Sequence, residues 1–189
     1  MHLRKRLFDI FFSVIMLILL SIPMLFIALF VRLSSKGPAL YWSERVGKNN
    51  KIFKMPKFRS MLIETPALAT HLLGNSKIYL SPIGGVLRRT SLDELPQLIS
   101  VLKGDMSFVG PRPALFNQDD LISLRSKKKI DCLLPGITGW AQINGRDNLS
   151  IPEKVVLDAE YLNRQSLCFD IEILWMTIIN VAKRKGVSH

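Results

Sequence analysis

Asp93 and Glu94 form an adjacent acid pair inside a stretch, Arg88 to Pro113, that is otherwise rich in cations. Arg88 and Arg89 precede the pair, and Lys103 and Arg112 follow it. Carboxylates hold hard cations and guanidiniums hold phosphate oxygens, so this set can hold a metal and a polyphosphate together. The same residues have a structural reading. Ser91-Leu-Asp-Glu94 matches a capping box, with Ser91 at the N-cap and Glu94 at N3. Acids in a first helical turn favour the helix dipole whatever the function. Pro96 resists that reading, because at N5 it removes a hydrogen bond and crowds the preceding turn. A helix that starts at Pro96 leaves both acids on an irregular segment before it, where strain is a reason to suspect function.

Two further stretches carry oxyanion chemistry. Pro111-Arg112-Pro113 sets an arginine between two prolines. Each proline fixes its own φ, and Pro113 pushes Arg112 toward extended backbone, a rigid mount suited to bidentate phosphate binding. The alternative there is a plain turn. Leu134 to Arg146 holds Pro135, Gly136, Gly139 and Gly145, an irregular loop whose backbone amides face a ligand if they are not otherwise used. Trp140 in it either stacks on a base or packs in the core, and Arg146 is another oxyanion candidate. The loop lacks the glycine spacings of phosphate-loop and dinucleotide-binding motifs.

The elements that must position these groups follow from periodicity. Leu95, Leu98, Ile99 and Leu102 lie at helical spacing, and Gly104 ends that helix. Ala39 to Trp42 reads as a brief strand, and Asn49-Asn50 as a turn. Lys51 to Met61 alternates apolar residues with Lys51, Lys54, Lys57 and Arg59, a strand or hairpin presenting cations. Gly84-Gly85 reads as a flexible approach to the acids. Asn117 to Ile130 is a polar surface helix. Ser150-Ile-Pro-Glu153 is a second capping box, opening a helix to about Gln165. Phe169 to Lys185 is amphipathic, with Ile171, Leu174, Trp175, Ile178 and Ala182 in one stripe; its tryptophan and terminal cations favour an interfacial helix over a core one.

The N-terminus is of another kind. After Arg4, Lys5 and Arg6 comes an uncharged apolar run, Ile10 to Val31, which as a straight helix reaches roughly 33 Å, enough to cross a hydrocarbon core. No small-residue cleavage site follows it, so a signal peptide fits poorly. A plain spanning helix is one topology. The other enters, bends at Pro23 and returns to the same face, with the Ser21 hydroxyl on a carbonyl freed at the bend. Basic flanks on both sides, including Arg32 and Lys36, give the positive-inside rule no direction.

The formal net charge is +11 at positive mean hydropathy. That combination suits an anionic membrane surface and phosphorylated ligands, including inner-leaflet anionic lipids, and argues against a nucleic-acid partner. Cys132 and Cys168 lack metal spacing and read as reduced core thiols; His2, His71 and His189 are too scattered for a zinc site.

Several motifs in order resemble the bacterial sugar transferase family, the small monotopic phosphoglycosyl transferases. They are Lys57-Phe-Arg-Ser-Met61, Ser91-Leu-Asp-Glu-Leu-Pro-Gln97, Leu102-Lys-Gly-Asp-Met-Ser-Phe108, Gly110-Pro-Arg-Pro113 and Pro135 through Arg146. The resemblance covers nearly the whole chain. It departs at Ser21-Ile22-Pro23, where Ser-Pro is usual, and at Met55-Pro56, where an aliphatic and an aromatic are usual.

The resemblance implies a transferase that moves a sugar 1-phosphate from a UDP-sugar to undecaprenyl phosphate and releases UMP. It also implies Mg²⁺, an aspartyl nucleophile at Asp93 and Glu94 as its neighbour, both available to the metal. Lys57, Arg88, Arg112 and Arg146 are then expected on substrate phosphates, and Gly136, Thr138, Gly139, Gln142 and Asn144 on the nucleotide or sugar.

The expected fold is α+β, mainly helical. A membrane-embedded helix broken at Ser21 and Pro23 and re-entrant spans residues 1–36. A cytoplasmic catalytic domain of helices, short strands and interfacial amphipathic helices spans 37–189, at the bacterial inner membrane. The competing class is a non-catalytic, membrane-tethered basic module that binds anionic lipid or nucleic acid.

Overall fold

The computed structural model describes residues 3–65, 76–145 and 148–183. Mainly helical and with short strands, it opens on α1, Leu3–Ser34, the one described helix long and apolar enough to cross a membrane. Pro23 lies inside α1 and does not interrupt it. In an α-helix a proline at 23 frees the carbonyl of residue 19. The Ser21 hydroxyl donates instead to Ile18 O, at 2.7 Å, one residue before the freed group. The expected break is therefore a proline within a continuous helix.

One face of α1 packs on the rest of the chain. Lys5, Asp9, Ser13 and Val31 are buried on it, with Leu17, Leu20, Met24 and Ala28 packed along the same side. These positions recur every three or four residues, the spacing of one helical face. The opposite face stays apolar and exposed, including Phe11, Ile18, Leu19, Ile22, Leu25 and Phe30. Both ends of α1 are tied to the globular part. Lys5 Nζ donates to Asp170 Oδ2 at 2.6 Å and Val109 O at 3.0 Å. Arg6 donates to Val101 O at 2.6 Å and Leu102 O at 2.7 Å, carbonyls of the last turn of the helix Gln97–Lys103. At the other end Val31 is buried with Phe58 and Leu87 in a small second core. The basic leader is thus partly structural: Lys5 and Arg6 are pins, not lipid-facing charges.

Strands β1, Leu40–Val46, and β2, Ile52–Phe58, form an antiparallel hairpin that pairs Leu40 with Phe58 and Val46 with Ile52. Asn49 and Asn50 turn it with positive φ, which asparagine tolerates. Helix α2, Gly84–Arg89, takes in Gly84 and Gly85, so the expected flexible approach is helical. Helix α3, Gln97–Lys103, closes on Gly104 at φ 95, the left-handed cap. Strand β3, Ser107–Val109, pairs in parallel with β4, Gly136–Thr138. Between them runs α4, Asp119–Lys127, and after them the short α5, Trp140–Ile143.

Helix α6, Ile151–Arg164, carries the expected Ser150–Glu153 capping box. Helix α7, Leu167–Ala182, is capped by Ser166. The main core lies where α3, β3, α6 and α7 meet, around Val101, Met106, Tyr161 and Ile173. Helix α7 is apolar on both sides: Phe169 and Ile173 face this core, while Ile171, Trp175 and Ile178 of the sequence stripe are exposed. Cys132 and Cys168 are free and exposed, not core thiols, because each falls on the solvent side of its short segment.

Candidate active site

The acids do not sit in a capping box. Ser91 adopts the left-handed region at φ 57 and makes no capping hydrogen bond. That conformation costs a non-glycine residue roughly 1 kcal/mol. A single tight turn, Leu92–Glu94, follows, and α3 begins only after Pro96 at its N-cap. The proline sets this geometry, since it ends any helix begun at Ser91 and preorganises the next one. Asp93 and Glu94 therefore occupy an irregular step between α2 and α3.

Glu94 is the hub. Its Oε1 accepts from Lys57 Nζ of β2 at 2.8 Å and from Arg112 Nη2 at 3.0 Å. Burial pushes the Glu94 carboxyl up, but Lys57 and Arg112 outweigh it and hold the group well below the ordinary range. Burial lowers the Lys57 ammonium, with Glu94 opposing. Glu94 thus stays ionised and serves as the common anchor for two cations from different elements.

Asp93 is different. It is 7% exposed, and among the described residues none donates a hydrogen bond to its carboxylate. Burial raises its pKa to about 6, Lys57 opposes this, Glu94 adds to it, and Arg88 and Arg112 pull it down. Desolvation outweighs the surrounding cations. At neutral pH Asp93 is still mainly ionised, and it is desolvated and not hydrogen-bonded by described residues, a suitable state for a nucleophile or a metal ligand.

Arg88, in the last turn of α2, reaches Met61 Sδ at 3.5 Å and acts on Asp93 electrostatically. Arg89 and Lys103, the other flanking cations, are exposed and do not join this cluster. Arg146 lies outside the described residues.

Gly136 of the glycine loop gives its amide to the protein and not to a ligand. Gly136 N donates to Pro111 O and Gly110 N to Thr138 O, both at 2.9 Å. A Cβ on Gly136 would stand 2.1 Å from Gly110 N, so only glycine permits this contact. The Thr138 hydroxyl bonds the Thr177 hydroxyl at 2.7 Å, Gln142 Nε2 donates to Ile137 O at 2.9 Å, and Asn144 Nδ2 donates to Trp140 O at 2.8 Å. Gly139 sits equally close to Gly110 O. Gly136, Thr138, Gly139 and Gln142 therefore form a platform behind Pro111-Arg112-Pro113. Trp140 packs on Phe169 at 5.0 Å and donates to Glu160, which settles its two readings in favour of the core.

Sequence reasoning missed Arg45 of β1. Its guanidinium donates to Pro113 O at 3.2 Å, and burial, with Arg112 nearby, lowers its pKa to about 10. The sequence pattern ends this strand at Trp42, so Arg45, the one cation of β1, lies beyond it.

Among the described residues no group of three or more His, Cys, Asp or Glu gathers for a metal. Mg²⁺ does not need one: it takes one or two carboxylates and completes its shell with water and substrate phosphates. Asp93 fits that role. Glu94 fits it poorly, since its Oε1 already holds two cations that repel a third.

This arrangement has close relatives. An uncharacterized sugar transferase, EpsL, of Bacillus subtilis is 38% identical over 98% of this chain and 90% of its own length. The UDP-glucose:undecaprenyl-phosphate glucose-1-phosphate transferase of Escherichia coli is 44% identical over 94% of this chain, which spans 40% of that protein. The undecaprenyl-phosphate galactose phosphotransferase of Salmonella typhimurium is 36% identical over 96% of this chain and 41% of its own length. The family described as bacterial sugar transferase matches residues 1–184. With a match over residues 1–184 and relatives that are sugar transferases over nearly its whole length, the chain belongs to the bacterial sugar transferase family.

Proposed function

We propose that this chain transfers a sugar 1-phosphate from a UDP-sugar to undecaprenyl phosphate, releasing UMP, through a covalent intermediate on Asp93. One observation carries the reading: a buried carboxylate that no described residue hydrogen-bonds, Asp93, adjoins a glutamate that anchors Lys57 and Arg112 together. Those cations stand where a diphosphate would need neutralising. The names of the Escherichia coli and Salmonella typhimurium relatives support the same reaction.

In the first displacement an Asp93 oxygen attacks the sugar-bearing phosphorus. The bond from that phosphorus to the bridging oxygen breaks, and UMP leaves with the electron pair. In the second, a phosphate oxygen of undecaprenyl phosphate attacks the same phosphorus and Asp93 leaves as carboxylate. Lys57, Arg88 and Arg112 hold the phosphate oxygens, with Glu94 fixing two of the three. Mg²⁺ held by Asp93 would supply further charge neutralisation for the diphosphate. Residues 37–189 carry this chemistry on the cytoplasmic side of the inner membrane. The exposed face of the continuous helix α1 lies in lipid while both its ends remain with the domain, and the surrounding cations attract anionic headgroups.

The test mixes full-length protein with Mg²⁺ and a panel of UDP-sugars, first alone and then with undecaprenyl phosphate. A mass increment of one sugar phosphate without acceptor, lost in Asp93→Asn, is the expected result. An adduct that survives Asp93→Asn but vanishes in Glu94→Gln reverses the two acids. UMP release only when acceptor is present, with no adduct, overturns the two-step route. No UMP under any condition leaves the non-catalytic lipid-binding module.

A further inference from the structure

The carbonyl oxygens from Pro111 to Ala114 all accept hydrogen bonds, from three elements of the fold. Pro111 O accepts from Gly136 N of β4 at 2.9 Å and Arg112 O from Arg125 Nη1 of α4 at 2.8 Å. Pro113 O accepts from Arg45 Nη1 at 3.2 Å, and Ala114 O from Val46 N at 3.0 Å. The first two bonds matter most for Arg112. The carbonyl of residue 111 turns with φ of residue 112, and the carbonyl of residue 112 turns with its ψ. Pinning both fixes the peptide planes on either side of the Arg112 Cα, and with them the direction in which its side chain leaves the backbone.

Arg125 is itself held. Its Nε and Nη2 both donate to Asp158 Oδ2 of α6, at 3.0 and 2.7 Å, and Asp158 is 1% exposed. Burying an ion pair costs several kcal/mol per ion before the attraction offsets it, and apolar residues of similar volume are often at least as stabilising. Stability alone is thus a weak reason for this pair. Its remaining hydrogen bond goes to Arg112 O, one of the two carbonyls that orient Arg112.

We infer that Arg125, clamped by Asp158, is a positioning residue that aims the Arg112 guanidinium at the substrate phosphate. The inference rests on the transferase reading above. At its tip Arg112 meets Glu94; at its base it is held by the brace from α4 and α6. A lysine at 125 keeps the charge opposite Asp158 but lacks a fork able to hold Asp158 and the carbonyl together.

The experiment is a double-mutant cycle on full-length protein, with kcat and KM measured for the UDP-sugar that turns over best and unfolding followed in parallel. Arg125→Lys is expected to keep a melting temperature within a few degrees of wild type and to lose about tenfold in kcat/KM. In an Arg112→Lys background the same change is expected to cost less than about twofold, because nothing is left to aim. Should Arg125→Lys fail to fold, the pair Arg125→Met with Asp158→Leu removes the brace without stranding a charge, and the same two expectations apply. Activity within twofold of wild type, or an equal loss in both backgrounds, overturns the inference while leaving the transferase reading intact. A wild-type protein that releases no UMP overturns that reading, and this inference with it.

Discussion

Asp93→Asn should make the protein more stable while abolishing its chemistry. The folded pKa of Asp93 is about 6 against an ordinary 3.8, so folding disfavours the ionised form. Asp93 is 7% exposed, so solvent screening discounts the effect little. The stability this group contributes is fully present below the unfolded pKa and is lost as pH rises through the folded one. A difference of about two pKa units corresponds to about 3 kcal/mol, fully felt at pH 7.5. At pH 4.5 the same two pKa values leave a penalty of about 1 kcal/mol. Asparagine keeps the shape and removes the charge. The gain from Asp93→Asn should therefore be up to about 3 kcal/mol at pH 7.5, several degrees in melting temperature, and about 2 kcal/mol less at pH 4.5. Thermal unfolding of both proteins in the same detergent at the two pH values measures it. A variant that gains nothing at pH 7.5, or gains equally at both values, would show that burial does not dominate the charge of Asp93.

Other expectations follow from the same geometry. Arg112→Lys should cost at least about tenfold in turnover, because an ammonium does not reproduce a guanidinium anchored on Glu94; full activity removes Arg112 from the phosphate site. The kcat/KM for donor should fall about tenfold per pH unit below about 6 as Asp93 is protonated, and a profile flat to pH 5 contradicts a carboxylate nucleophile. With exposed Cys132 and Cys168 replaced, single cysteines at positions 2 and 36 should both label only after the cells are permeabilised. Labelling of position 2 from outside shows instead that α1 spans the membrane. Lys5→Met should destabilise by about 3–5 kcal/mol, since it leaves Asp170 buried and unpaired. Adding Asp170→Leu should recover most of that loss in an unfolding titration; no recovery means that the pair is not the cause.

Local signals carried the elements well and the contacts poorly. Gly104, the Ser150–Glu153 box and the alternation around Lys57 each act within a few residues, and each corresponds to an observed cap or strand. Pro96 likewise pointed to an irregular acid step, whereas the Ser91 box, an equally local pattern, did not form. The difference is tertiary: Glu94 is drawn to Lys57, 37 residues away, and to Arg112, and is not left to reach back to Ser91. The glycine loop was misread for a related reason. Glycine signals a close approach of backbones, and spacing does not say whether the approaching backbone is a ligand's neighbour or Gly110. Lys5 and Arg6 read only as a basic flank because their partners, Asp170 and the end of α3, lie far along the chain.

That distance has a consequence for how the protein is made. Lys5 and Asp170 are separated by 165 positions, so the first turn of α1 is completed by a helix synthesised much later. At roughly 5–20 residues per second, the wait is about 10–30 s. During it Lys5, Arg6 and Asp9 have none of the core partners they later meet on α3, β3 and α7, while the apolar face of α1 is already seeking lipid. These unmet charges favour keeping the first turn of α1 in water until α7 arrives. The anchor's orientation would then be decided early by the membrane and locked late by the domain.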